Sequence, residues 1–237
     1  MPFRAKRASL EWLPVLQSEL EYNRQMVRRT TSETEFETFL SENNLPFEPI
    51  EIGDSPRPDY LVTVGEMKVF FEVKEIAEDA NFKTGHLQVS SRIIGDHVRA
   101  RIQESKKQVQ FGARQGAPSV LLIYNNLDPI HLFGTENHDF IAAMYGAYTV
   151  VLKHPRMLEA SPNIKAVDYV HGKDQYLQEN KNTSFSALGR LYPVRGKLEV
   201  TLFENVFAKV RLPFDTLPSC FDVKRFEISH SKYGLKF

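Results

Sequence analysis

The chain predicts an α/β fold, a central mixed β-sheet flanked by helices, on three observations. Two short runs rich in β-branched and aromatic residues, 60–64 and 67–73, are separated by Gly65-Glu66, a pair favoured in tight hairpin turns. A capped helical pattern precedes them, beginning at Thr30, Thr31 and Ser32. A second amphipathic stretch over 94–109 follows and leads into the apolar run SVLLIY at 119–124, which reads as a buried strand.

The elements follow in order. Residues 8–29 set Leu10, Leu13, Leu16, Leu20 and Met26 among charges at mainly helical spacing, so residues 1–30 are expected to form an N-terminal helical extension. The next helix has an acidic first turn, buries Phe36, Phe39 and Leu40, and ends at Asn43-Asn44 before Pro46. FEPIEI at 47–52 alternates like a strand, and 53–58 reads as the loop that ends it. Residues 78–91 are too polar for a core element, and a loop of that length in a compact domain tends to be functional or mobile. In the long helix Ile94, Val98, Ile102 and Val109 share one face, with Arg99, Arg101, Lys106, Lys107 and Gln108 around it, and 112–118 closes it.

Beyond residue 124 the expected elements are a helix near 139–145, a strand at 148–153, a polar stretch over 173–183, and a strand pair at 184–191 and 198–203 around a turn with Pro193 and Gly196. No repeat or low-complexity tract interrupts the chain. The expectation is one α/β domain over 31–237, with its core in 31–124 and a C-terminal elaboration over 125–237.

A composition of 42% hydrophobic and 25% charged residues in 237 is that of a folded protein. Thirty basic residues balance thirty acidic ones, so a nucleic-acid partner has to be held by a local basic surface rather than by the field of the whole molecule. The single cysteine, Cys220, has no partner within the chain for a disulfide, which suits a reducing cytoplasm. No signal-peptide-like apolar run follows the basic N-terminus and no stretch approaches the ~18 apolar residues of a membrane span. The expected location is cytoplasmic, with no membrane partner.

Hairpin register brings the chemistry together. With Gly65-Glu66 as the turn, Val64 faces Met67, and each step back on one strand is a step forward on the other, which sets Asp59 opposite Glu72. Lys74, two residues beyond Glu72, points to the same side as both carboxylates. Opposed residues have Cβ atoms ~5 Å apart, and two carboxylates at that separation repel by about 3 kcal/mol at an effective dielectric near ~20. A divalent cation with oxygen ligands, Mg²⁺ or Mn²⁺, offsets the repulsion, with the Val73 carbonyl as a further candidate ligand and Lys74 placed to assist water attack or stabilise developing negative charge. The competing reading of the same residues is a cross-strand salt bridge of Lys74 with either acid on a solvated sheet face.

Pro58-Asp59 followed by Glu72-Val73-Lys74 within FFEVKEI resembles the PD-(D/E)xK nuclease superfamily, and the expected order helix, strand, strand, strand, helix, strand over 31–124 resembles its restriction-endonuclease-like core. TSFSAL and LFENVFAKVRLP also look like the C-terminal part of uncharacterised bacterial members. The resemblance implies a metal-dependent endonuclease in which Asp59 and Glu72 bind Mg²⁺ or Mn²⁺ and Lys74 assists phosphodiester hydrolysis. DNA is implied ahead of RNA, as are a homodimer that would place sites on both strands of a duplex and a bacterial restriction or defence role. Acid-x-Lys alone is a poor signal, since it also occurs at Glu66/Lys68, Glu104/Lys106, Glu179/Lys181 and Asp222/Lys224; only Glu72/Lys74 lies on a strand opposite Pro-Asp.

Many members of the superfamily add a glutamate from the first core helix. Glu33 is the best placed here, roughly 60° from the centre of the Phe36, Phe39 and Leu40 stripe, against Glu35 and Glu37 at roughly 100°; an acidic first turn that serves only the helix dipole is the other reading. Related enzymes also place a lysine or glutamine on the second helix, for which Gln108 is the candidate. Arg101, Lys106 and Lys107, with Arg114, Arg57 and Arg92, are candidates for contact with substrate phosphates, and a solvated basic face is the plain alternative. The seven histidines have no HxH or HxxxH spacing, residues 112–116 lack the Lys-Ser/Thr of a P-loop, and there is no GxSxG. The competing function is a catalytically inactive nucleic-acid-binding or assembly module on the same fold.

Overall fold

The computed structural model describes residues 29–51, 53, 55–77, 93–127, 133–153, 165–228 and 235–236. The N-terminal extension, most of the 78–91 loop and Arg92 lie outside the described residues.

Helix α1 (Thr31–Glu42) starts at Thr30, whose side chain accepts the Glu33 N–H while the Glu33 carboxylate accepts the Thr30 N–H, a capping box that satisfies two otherwise orphan donors. It is followed by β1 (Phe47–Pro49), β2 (Tyr60–Val64) and β3 (Met67–Ile76), joined as an antiparallel meander. The β2–β3 pairing is the expected one, Val64 on Met67 through Tyr60 on Phe71, and Gly65 takes φ 62° at the turn, where a side chain would be strained. β4 (Ser119–Asn125) then lies parallel to β3. The helix, strand, strand, strand, helix, strand order expected over 31–124 is present.

Helix α4 (Asn137–Tyr145) and the paired strands β5 (Ala147–Lys153) and β6 (Lys165–Lys173) precede β7 (Ala187–Val194) and β8 (Lys197–Glu204), a hairpin that turns at Arg195-Gly196, both at positive φ. β9 (Phe221–Lys224) closes the main sheet, whose order is β1-β2-β3-β4-β7-β8-β9; β10 (Glu227–Ile228) and β11 (Leu235–Lys236) pair separately. The same seven-stranded mixed sheet therefore runs through the expected core and its C-terminal elaboration.

Alternation along the central strands builds two apolar layers. Val69, Phe71 and Val73 of β3 join Val120, Leu122 and Tyr124 of β4 under α1 and its Phe36, Phe39 and Leu40. On the opposite face Ile76, Leu121 and Ile123 pack against Val98, Ile102 and Val109 and, from α4, Phe140 and Met144. Each fully buried Phe, Leu or Ile contributes about 1.5–3 kcal/mol relative to exposure. Even-numbered β3 residues, Glu72 and Lys74 among them, alternate away from the face that α1 covers.

Three expectations need correction. The continuous helix over 94–109 is two helices, α2 (Asp96–Glu104) and α3 (Lys106–Arg114), interrupted at the buried Ser105. Gly112 lies inside α3 rather than ending it, because a Cβ there would strike the Ser119 hydroxyl and come within 2.5 Å of the Phe70 ring; the missing side chain lets α3 press onto the sheet. The 47–52 strand stops at Pro49; after the Ile50 N–H bonds the Asp59 carbonyl at 2.8 Å, the chain between them leaves the sheet as a loop. No described helix is long and apolar enough to cross a membrane.

Candidate metal centre

Tyr60 pairs with Phe71 at the start of β2, and one further step sets Asp59 against Glu72. Pro58, buried, fixes the approach of the chain, and the Asp59 Oδ2 accepts the Val73 N–H at 2.7 Å, so the carboxylate is tied across the hairpin to β3. Val73 thus enters the site through its amide, whereas its carbonyl was the expected contribution.

Glu72 is only 1% exposed. Lys74 Nζ lies 2.6 Å from its Oε1, an ion contact outside hydrogen-bonding geometry, since both Glu72 oxygens are buried with no hydrogen-bond partner. The cross-strand salt bridge read from the sequence therefore exists, but not on a solvated face. A carboxylate so buried is costly unless its lone pairs are used. Burial, and after it the charge of Asp59, pushes the Glu72 carboxyl up to about 8 against the lowering influence of Lys74. Burial also raises Asp59, opposed by the Val73 amide and Lys74. Burial by itself would lower Lys74, but the charge and contact of Glu72, then Asp59, outweigh it and hold its pKa above the usual lysine value.

Two acids on one patch, one of them buried without hydrogen bonds, form an oxygen-rich donor set that suits a hard divalent cation such as Mg²⁺ or Mn²⁺. Asp59 and Glu72 would hold it.

The remaining candidates separate. Gln108 of α3 reaches the site: it lines, with Asp59 and the 50–58 loop, a cleft of about 360 Å³, and its buried Oε1 has no hydrogen-bond partner. Arg57 lines the same cleft, exposed, with its guanidinium 5.8 Å from the Phe111 ring centroid. Glu51 is a cleft residue that sequence reasoning missed, because 47–52 was read as a continuous strand. Glu33 sits on α1, against the other sheet face, with its carboxylate engaged in the capping box; only its charge reaches Asp59, which it raises. Arg101 donates to the Glu75 carbonyl at 3.2 Å and pairs with Glu104 at 3.1 Å, so it braces the end of β3. Lys106 is half-buried, while Lys107 and Arg114 are exposed on α3.

Among the described residues one further group, Glu136, His138 and Asp139, brings possible ligand atoms within 4.8 Å of one another. Its carboxylates are already used at the start of α4. Asp139 accepts the Gly95 N–H at 2.8 Å and the Glu136 N–H at 3.2 Å, and Glu136 accepts the Gly134 N–H at 3.0 Å. No family model, curated protein or solved structure matches the chain.

Proposed function

We propose that the chain is a metal-dependent nuclease of PD-(D/E)xK type with a restriction-endonuclease-like core. The observation that carries this reading is the Glu72 carboxylate, 1% exposed, without a hydrogen bond at either oxygen, beside Asp59 and 2.6 Å from Lys74. The antiparallel β1-β2-β3 meander, with β4 parallel to β3 across a helical connection, supports the same reading.

Asp59 and Glu72 hold Mg²⁺ or Mn²⁺, and the cation, when bound, polarises a phosphate oxygen and lowers the pKa of a coordinated water. Val73 fixes the rotamer of Asp59 through its amide. Lys74, its pKa raised by the two acids, remains a cation and acts as a donor to the water or to the charge that develops on the phosphate, rather than as a base. Exposed Lys107, Arg114 and Arg57 offer the local basic groups that a neutral chain needs for phosphate contact. DNA in the cytoplasm is the proposed setting; the homodimer and a bacterial defence role rest on family likeness alone.

The test incubates the protein with single- and double-stranded DNA and RNA in Mg²⁺, in Mn²⁺ and in EDTA, beside Lys74→Ala. Cleavage that needs the metal and is lost in the variant is the expected result. Absence of product from every polymer, or equal product from the variant, would point to a binding or assembly module instead.

A further inference from the structure

The cleft beside the carboxylate pair has a chemistry of its own. Its walls are set by Ile50, Glu51, Arg57 and Pro58 from the loop between β1 and β2, by Asp59, and by Gln108 from α3. At about 360 Å³ it lies within the ~300–1,000 Å³ of small-ligand sites and is far too small for a base-paired duplex. Ile50 and Pro58 supply apolar surface, and the Arg57 guanidinium, held near the Phe111 ring, supplies a planar cation at the rim.

The polar groups of the wall are mostly acceptors. Glu51 and Asp59 bring carboxylates, and Gln108 brings an Oε1 with no hydrogen-bond partner. A ligand that satisfies them carries hydrogen-bond donors on a flat apolar body. Among the parts of a nucleic acid, a base with an exocyclic amino group has that character: carboxylates accept from the cytosine amino group, and a glutamine amide pairs with the adenine edge. Such an edge enters a cleft this size only from an unpaired or flipped nucleotide.

We infer that this cleft seats one unpaired nucleobase bearing an exocyclic amino group, cytosine or adenine, so that the substrate class is single-stranded nucleic acid or a frayed strand end. The inference rests on the nuclease reading for the identity of the polymer. Because Asp59 belongs both to the cleft wall and to the carboxylate pair, the seated nucleotide adjoins the phosphate to be cleaved. Glu51 and Gln108 select the base, and Arg57 contacts the backbone at the rim.

Binding is measured by fluorescence anisotropy in EDTA, which removes any need for hydrolysis, with labelled single strands of twelve deoxycytidines or twelve deoxyuridines. These bases match in size and differ at the position-4 amino or carbonyl group and the adjoining ring nitrogen. The expected result is about tenfold tighter binding of the cytosine strand, the scale of one good base contact, with weaker binding of the corresponding duplex. Gln108→Ala and, separately, the exposed-site Glu51→Ala are expected to bring the ratio below about threefold, with folding checked by circular dichroism. Should Gln108→Ala fail to fold, Glu51→Ala alone decides. Equal binding of the two strands, an unchanged ratio in the folded variants, or tighter binding of the duplex would overturn the inference. Metal-dependent cleavage without base preference leaves the nuclease reading standing and the base pocket refuted; preference without cleavage does the reverse.

Discussion

Asp59 and Glu72 on the hairpin and Glu136 and Asp139 at the start of α4 are both pairs of acids next to a third polar side chain, and both include a buried carboxylate, Glu72 at 1% and Asp139 at 0% exposure. They differ in what their oxygens do. Asp139 spends its carboxylate on the backbone N–H groups of Gly95 and Glu136, and so locks α2 onto α4. Glu72 spends its carboxylate on nothing but the ion contact with Lys74. Proximity of acidic groups is thus a weak sign of a metal; unsatisfied lone pairs on a buried acid are a stronger one. The first pair is organised for a ligand, the second for the fold.

The largest expected difference is in activity. Lys74→Ala is expected to reduce metal-dependent cleavage at least ~10²-fold, while His138→Ala changes it less than about twofold, read from initial rates on a single-stranded substrate. Equal losses would erase the distinction between the two clusters. Stability should move the other way. Asp139→Ala removes two buried hydrogen bonds and is expected to cost about 2–4 kcal/mol in urea unfolding.

Glu72→Gln should be stabilising in the absence of metal. The folded-state pKa of Glu72 is raised from 4.5 to about 8, so the folded protein holds that proton more tightly than the unfolded chain does. The contribution of this group to stability is therefore greatest below its ordinary pKa and falls as pH climbs toward about 8. Glu72→Gln is expected to gain about 1–3 kcal/mol over the wild type at pH 9 in EDTA, and to flatten that fall. A wild type that gains stability between pH 5 and 8 relative to the variant would break the assignment. The smallest effect belongs to Glu33→Ala: loss of the capping box costs ~1 kcal/mol, and metal-dependent rates change only a few-fold, if the glutamate serves α1 rather than the metal.

The parts of this site that were legible in the sequence are those governed by local chemistry. Gly65-Glu66 determines its turn by backbone conformation, and the turn determines the register that opposes Asp59 to Glu72. Thr30 and Glu33 mark the start of α1 by a cap three residues long, although the same cap was not separable by pattern from a glutamate aimed at the metal. The strands β6 and β9 were missed because KAVDYVHGK and FDVK are short, charged segments whose extended form depends on partners distant in sequence, β5 and β8. The break at Ser105 and the bracing role of Arg101 likewise depend on how helices meet the sheet, not on periodicity. The burial of Glu72 could be expected from the apolar FFEVKEI run, but the absence of a hydrogen bond at its oxygens becomes visible only when every neighbouring donor is placed.

The central claim is that Asp59 and Glu72 hold a divalent cation, and Mn²⁺ titration calorimetry tests it most directly. Wild type and Glu136→Gln are expected to bind one ion, with affinity that rises about tenfold per pH unit up to about 8, where Glu72 has released its proton, and then levels off. Glu72→Gln is expected to abolish that binding while the protein remains folded. Binding that survives Glu72→Gln and disappears in Glu136→Gln, or no binding by the folded wild type at any pH from 6 to 9, would contradict the account.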